Sequence, residues 1–156
     1  MQKIIIPTLD AVVRRLRESA EELGLKPEHI ARTYDPRFKA EKLADEEDLS
    51  PRLLVFLAST DTESELMGGV EKTVSCAVEF AQYVEENDNE HIDPVIEHFE
   101  TIQNIFEEIE VWDDEPTGWR FHITKRTPRF IAPQNVLAAK IVLCHIDLDV
   151  TVYVEA

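Results

Sequence analysis

The segment from 142 to 154 constrains the fold of this chain more than any other part of the sequence. Its apolar residues occupy every second position, at Val142, Cys144, Ile146, Leu148, Val150, Val152 and Val154. The positions between them include His145, Asp147, Asp149 and Thr151. Because successive side chains of a strand point to opposite faces of a sheet, the alternation predicts a long β-strand. One buried and one solvated face is typical of an antiparallel sheet.

Two other segments have the apolar spacing of amphipathic helices. The first is predicted to begin after Thr8 as its N-cap and to end at Gly24, which suits the left-handed position after a helix. The second is predicted to begin at Asp93 as its N-cap, with Pro94 in the first helical position. Their apolar stripes are Leu9, Val12, Val13, Leu16, Ala20 and Leu23 in the first helix, and Ile92, Val95, Ile96, Phe99, Ile102, Phe106 and Ile109 in the second.

Four more segments are predicted to be strands. Residues 53–57 form a continuous apolar run of strand length, and residues 74–84 alternate between apolar and polar. Shorter strands are expected within 27–34 and 119–124. Between these elements, 37–51 is interpreted as an exposed excursion, and the stretch bracketed by Pro128 and Pro133 as irregular. The predicted order is therefore α-β-β-β-α-β-β.

A chain of 156 residues is the size of one domain, and we predict a single α+β domain over residues 1–156. Its expected architecture is a twisted, mostly antiparallel sheet of four to five strands, with two amphipathic helices packed on one face. Cys76 and Cys144 fall on the covered face and are expected to be buried, inert thiols in a reducing cytoplasm. The apolar run at 4–6 is too short for a secretion signal or a membrane span.

The charge distribution limits the kinds of partner. The chain has 32 Asp and Glu against 16 Lys and Arg, a formal net charge of −16 at pH 7. Between Thr73 and Trp119 there is neither Lys nor Arg, whereas fourteen Asp and Glu fall in that span. This argues against binding to a phosphate backbone or an anionic membrane. Three interpretations stay open: a solubilising surface, a surface that repels polyanions, and a mimic of a phosphate backbone aimed at a basic partner.

No group of residues in the sequence predicts catalysis. His145, Asp147 and Asp149 are a chemically sensible metal set, but alternate residues of a strand stand roughly 6.6–7 Å apart and do not easily converge on one ion. We expect these side chains to face solvent or another subunit. His91 and His98 are nearly two helical turns apart. The sequence lacks a GxSxG elbow and a glycine-rich phosphate loop. We therefore predict no catalytic, cofactor-binding or metal-binding residue, no cofactor and no enzyme activity.

Five segments follow one another in a characteristic order. They are Arg32-Thr33-Tyr34-Asp35-Pro36 after the first helix, the apolar strand Leu53 to Ala58, the strand Glu71 to Val78, the amphipathic helix Asp93 to Phe106, and the closing strand Val142 to Val154. In this layout the chain resembles the tail-completion or tail-terminator proteins of tailed bacteriophages and prophages, which lie at the head–tail joint. The resemblance covers most of the chain and is one of layout.

The resemblance implies a homo-oligomeric ring, often a hexamer, that caps the tail tube and offers a surface to the head connector. It implies action by protein–protein contact, without specific nucleic-acid or membrane binding, in the virion and, during assembly, in the cytoplasm of the bacterial host. An acidic ring lumen would let DNA slide through without being retained. We expect the regions 59–72 and 111–137, interpreted as long loops, to make the subunit contacts.

The same negative span supports a second class of protein. An acidic inhibitor or immunity protein would bind a basic nuclease or DNA-binding protein, because complementary charge speeds encounter and selects partners. Both hypotheses describe a protein that binds other molecules without transforming them.

Overall fold

The computed structural model describes residues 3–34, 50–59, 63–66, 69–131 and 140–155. Its helical elements are α1 (Ile5–Glu18), α2 (Ala20–Leu23), a 3-10 turn (Pro27–His29) and α3 (Asn89–Glu108). Its strands are β1 (Ile30–Arg32), β2 (Arg52–Ser59), β3 (Glu63–Leu66), β4 (Gly69–Tyr83), β5 (Val111–Asp114), β6 (Trp119–Ile131) and β7 (Ile141–Glu155). The predicted excursion at 37–51 lies almost entirely outside the described residues.

The described strands form one mixed sheet. Six of them lie side by side in the order β1-β2-β4-β7-β6-β5, and the short β3 pairs with the start of β4. β1 and β2 are parallel, while the other described pairs are antiparallel. The α+β class is thus confirmed. The predicted count of four to five strands is wrong, because the short β3 and β5 lie in segments interpreted as loops. The sheet is mixed because β1 pairs in parallel, although five of its six described pairs are antiparallel.

The core lies between the helices and one face of the sheet. Alternate residues of the long strands β4 and β7 point into it, together with most of the apolar residues of α1 and α3, Ile96 being exposed. The buried sheet residues include Val74, Cys76, Val78 and Phe80 in β4, and Val142, Cys144, Ile146, Leu148, Val150 and Val152 in β7. The period-two pattern of both strands therefore predicted the core face correctly.

Helix α1 connects the two ends of the strand order. Arg17 Nε donates to the backbone oxygen of Ile30 in β1 at 2.9 Å. Arg14 donates two hydrogen bonds to the Asp114 carboxylate in β5, at 2.9 and 2.8 Å. Six flat strands would span roughly 24 Å at their usual spacing, whereas a helix with its side chains is only about 10–12 Å wide. The sheet must therefore curl around α1 for both contacts to form.

Both predicted helix starts are wrong. The first helix begins at Ile5, and Thr8 is a fully buried residue within it. The second has Asp88 as its N-cap, whose carboxylate accepts a hydrogen bond from the His91 N–H at 3.0 Å. Pro94 consequently lies inside α3, where it removes one donor of the helix. Gly24 ends α2 in the left-handed conformation, as predicted.

Strand β6 runs through most of the stretch that was expected to be irregular. Its register with β7 shifts between Ile123 and Lys125, so that Thr124 is an extra residue. Before the shift the side chains of β6 that point to the core are at odd residue numbers, and after it they are at even residue numbers. The alternation of apolar and polar residues is therefore not visible along the whole strand. Pro128 is tolerated because β5 pairs with β6 only as far as His122, and beyond that point no described strand needs a donor from the outer edge of β6.

Candidate functional site

A row of charged side chains crosses the face of the sheet opposite α1 and α3. Glu79 in β4 is the register partner of His145 in β7, and His145 is the partner of Arg129 in β6. Two residues further along β7, Asp147 has Ala77 of β4 and Thr127 of β6 as its register partners. We call Glu79, His145, Asp147 and Arg129 the polar row.

His145 is at the centre of the polar row and is only 6% exposed. Its Nε2 lies 2.8 Å from Asp147 Oδ1, and its Nδ1 lies 4.0 Å from Glu79 Oε1. The ring of Phe56 in β2 packs edge-on against the imidazole, with 5.6 Å between the centroids. The expectation of a solvated face is therefore wrong at His145 and also at Glu79, which is 4% exposed.

The electrostatics of the row favour the imidazolium. The Glu79 carboxylate raises the pKa of His145, burial opposes this, and the hydrogen bond with Asp147 adds to the rise. His145 Nδ1 and Glu79 Oε2 are buried and make no hydrogen bond, so Glu79 acts through charge across the 4.0 Å separation. Among the described residues, the imidazole is hydrogen-bonded only through Nε2 to Asp147, since Nδ1 makes no hydrogen bond.

The predicted metal set is only partly brought together. His145 contacts Asp147, whose other oxygen Oδ2 pairs with Arg129 Nη2 at 3.2 Å. Asp149 instead accepts a hydrogen bond from Ser75 Oγ at 2.8 Å. Within the described ranges, no group of three or more His, Cys, Asp and Glu side chains is placed to hold a metal ion.

The two histidines of the second helix have separate structural roles. His91 Nδ1 lies 2.6 Å from the Asp88 carboxylate, which raises its pKa, and both side chains are exposed to solvent. His98 Nε2 donates to the carbonyl oxygen of Leu23 at 2.7 Å, since only a ring N–H can bond to a carbonyl. Its ring also packs edge-on against Phe80, with 4.8 Å between the centroids. Neither histidine is brought near the other.

Both cysteines are free and buried, as predicted. Burial raises the pKa of Cys76 to about 12, and the nearby Asp149 and Asp147 add to the rise. Burial likewise raises the pKa of Cys144 to about 12, with a further contribution from Glu79. A thiolate is the reactive form of cysteine, and neither residue forms one near neutral pH.

Helix α3 presents an acidic surface beside an apolar groove. Its exposed face carries Glu97, Glu100, Glu107 and Glu108. Between α3 and strands β6 and β7 lies a groove of about 370 Å³, which we call the α3–β6 groove. It is lined by Ile96, Phe99, Glu100, Gln103, Asn104, Phe106, Glu107, Arg126, Pro128 and Ile146.

Arg126 binds carbonyl groups at the C-terminal end of α3. Its Nε donates to the carbonyl oxygen of Phe106 at 2.8 Å, and its Nη2 donates to that of Ile109 at 2.5 Å. The carbonyl groups at the end of a helix lack partners within the helix and carry partial negative charge. The guanidinium therefore attaches β6 to the end of α3.

The two regions expected to be contact loops contain strands. Residues 63–66 and 69–72 pair as the antiparallel β3 and β4, and residues 111–114 and 119–122 pair as β5 and β6. Asp114, the last residue of β5, also accepts hydrogen bonds from Thr117 Oγ1 and the Thr117 N–H, at 2.7 and 3.1 Å. Residues 132–137 lie outside the described residues. The prediction that these regions contact other subunits stays a prediction.

The sequence interpretation missed Glu79, Arg126 and Arg129 as members of charged contacts. Glu79 did carry a signal, because it is the charged residue in the middle of a strongly apolar strand. The two arginines carried none, since the bulge in β6 obscures which face each of them occupies.

No helix among the described residues is long and apolar enough to cross a membrane.

The chain matches no protein-family model, and no curated protein matches it significantly.

Proposed function

We propose that this chain is a virion assembly protein of a tailed bacteriophage or prophage, a tail-terminator or tail-completion subunit at the head–tail joint. It acts by protein–protein contact within a homo-oligomeric ring, often a hexamer in proteins of this kind, and is not an enzyme. Its partners are the tail-tube and head-connector proteins. It belongs to the virion and, during assembly, to the cytoplasm of the bacterial host.

The observation that carries this proposal is the order of elements. The first helix is followed by strand β2, its long antiparallel partner β4, the amphipathic helix α3 and the closing long strand β7. This is the same layout as the one on which the resemblance rests. The long strands β4 and β7, of 15 residues each, pair with one another at the centre of the sheet. Among the described strands β1 and β5 are the outer ones, and an outer strand can add a strand from a neighbour.

The charge of the chain supports the same proposal. The span from Thr73 to Trp119 lacks Lys and Arg, and it includes the whole of α3 with its exposed carboxylates. A surface of this sign repels the phosphate backbone of DNA at the distances where charges act in solution. A ring with this surface toward its lumen would pass DNA without retaining it.

Light scattering coupled to size-exclusion chromatography tests the proposal. We expect the purified chain at high concentration, or in the presence of tail-tube subunits, to form a closed ring that negative-stain microscopy can display. A chain that remains monomeric at every concentration, and also fails to bind tail-tube subunits, would contradict it.

The acidic face of α3 also favours the second candidate function, an acidic inhibitor or immunity protein for a basic nuclease or DNA-binding protein. Such a protein would compete with DNA for its partner, and the competition would weaken as salt screens the charges. The absence of any salt-sensitive binding to basic nucleases or repressors would exclude it. Capsid and tail genes beside the coding gene favour the first function, and a toxin gene favours the second.

A further inference from the structure

We propose that the α3–β6 groove binds a cationic amphipathic helix of a partner protein. The inference goes beyond the function proposed above, since it concerns what one groove recognises and holds whether or not the chain forms a ring.

The floor of the groove is apolar. Phe99 and Phe106 of α3 and Ile146 of β7 line it while being at most 6% exposed over the whole residue. Ile96 stands at its border and is 42% exposed, which is high for a large aliphatic side chain. A volume of about 370 Å³ is within the range of sites that bind organic groups. The groove therefore has space for apolar side chains from another molecule.

The rim of the groove selects the charge of the occupant. Glu100 and Glu107 line it and are exposed. They are seven residues apart on one helix, so their Cα atoms are roughly 10.5 Å apart along its axis. A partner helix with Lys or Arg at positions seven apart can place a cation near each carboxylate. Arg126, the cation among the lining residues, is turned toward the carbonyl oxygens of Phe106 and Ile109.

The geometry favours a helix over an added strand. The outer edge of β6 borders the groove, but Pro128 removes a backbone donor from that edge. The binding must then rest on side chains that enter the groove, which is how amphipathic helices bind. A second copy of this chain is disfavoured by charge, because its α3 would bring carboxylates against carboxylates.

The experiment uses the full chain and a fluorescein-labelled Leu/Lys helical peptide of about 14 residues, roughly 21 Å long. Its leucines form one face, and its lysines include a pair seven residues apart. We expect fluorescence anisotropy to show saturable binding, and a peptide of the same composition with the leucines scattered around the helix to bind at least about tenfold more weakly.

Two variants locate the binding. Ile96→Arg places a cation at the apolar border and is expected to weaken binding by about tenfold. Glu100→Gln combined with Glu107→Gln is expected to weaken it by about threefold and to reduce its salt dependence. The matched control is Glu85→Gln combined with Glu86→Gln, which removes the same charge from the exposed turn before α3 and should leave binding within about twofold.

Several results would overturn the proposal. They are no saturable binding, equal binding of the scattered-leucine peptide, equal weakening by the control pair, or retained affinity in Ile96→Arg. A change in the oligomeric state of the unliganded chain caused by Ile96→Arg would assign the groove to a second copy and would also overturn it. Because Ile96 is half-exposed, the variant is expected to fold, and an unchanged thermal midpoint verifies this. None of these results depends on ring formation, so the two proposals fail separately.

Discussion

At the scale of single residues, position 24 requires glycine for two reasons, its backbone conformation and its lack of a Cβ atom. Gly24 ends α2 with φ at +70°, and a Cβ placed there would lie 2.9 Å from His98 Nε2. That ring nitrogen is bonded to the Leu23 carbonyl oxygen. The residue therefore needs both the left-handed backbone that glycine adopts freely and the space that glycine leaves.

Gly24→Ala is expected to destabilise the protein more than Gly118→Ala. Both glycines have positive φ, at +70° and +72°, but a Cβ at Gly118 would meet nothing within 4 Å. The backbone conformation costs about 1–2 kcal/mol in each variant, and only the Gly24 variant also displaces His98. Urea denaturation measures the free energies of unfolding. Equal losses would show that the contact with His98 is unimportant, and in a His98→Ala background the two losses should become equal.

His145 is expected to make stability depend on pH near neutrality. Its pKa is raised in the folded protein by Glu79 and, against burial, by Asp147. The contribution of His145 to the free energy of unfolding is then fully present below its unfolded-state pKa of about 6.5. It is lost as pH rises through the raised pKa of the folded state. His145→Gln should flatten the fall in unfolding free energy over this interval. The control His122→Gln changes a half-exposed histidine of β6. If both variants keep the wild-type slope, the polar row does not bind a proton on folding.

At the scale of elements, the contact between Arg14 and Asp114 connects α1 to the end of β5. Burial opposes ionisation, but the hydrogen bonds from Arg14 and Thr117 outweigh it and lower the pKa of Asp114. The Arg14 side chain is 36% exposed while that of Asp114 is 4% exposed. Removing the carboxylate would leave several donors without an acceptor, which is costly in a buried place.

Asp114→Asn is expected to lower the free energy of unfolding by about 1–3 kcal/mol at pH 7. Because the folded pKa is lowered, the wild-type contribution is present above the unfolded value of about 3.9 and disappears as pH falls through the folded value. The difference between variant and wild type should thus shrink in acid. Asp113→Asn is the matched control, since its pair with Arg120 is exposed at 74% and 71% and should matter little. Equal losses in the two variants would contradict this account.

At the scale of the whole molecule, the net charge of −16 acts against compactness. Like charges on one surface repel, and dissolved salt screens them over about 10 Å at 0.1 M ionic strength. Among the described residues, the pairs Arg120–Asp113, Arg129–Asp147 and His122–Glu110 are exposed on both sides and contribute little in either condition. Salt therefore removes more repulsion than attraction.

Raising NaCl from about 0.02 to about 0.5 M is expected to raise the thermal midpoint at pH 7. Differential scanning calorimetry measures the shift. Near the sequence pI of about 4.6 the net charge vanishes, so the same increase in NaCl should have much less effect there. A midpoint that falls with salt at pH 7 would show that specific ion pairs outweigh the general repulsion.

Periodicity along the chain was sufficient for β4, β7 and most of both long helices. It was insufficient for β6, where a single extra residue at Thr124 exchanges the two faces. It was also insufficient at the start of α3, because a local hydrogen bond from the His91 N–H selects Asp88 over Asp93 as the N-cap. Neither of these features repeats along the chain, so no periodic pattern reports them.

The sequence by itself determined the α+β class, the faces of β4 and β7 that enter the core, and the acidic surface of α3. Each of these depends on residues within one element, where the spacing of side chains is set by the backbone geometry. Only the tertiary structure decided that Glu79 lies opposite His145, that α1 spans from β1 to β5, and that a groove opens between α3 and β6. These juxtapositions depend on strand order, register and curl, which arise from packing between residues far apart in the chain.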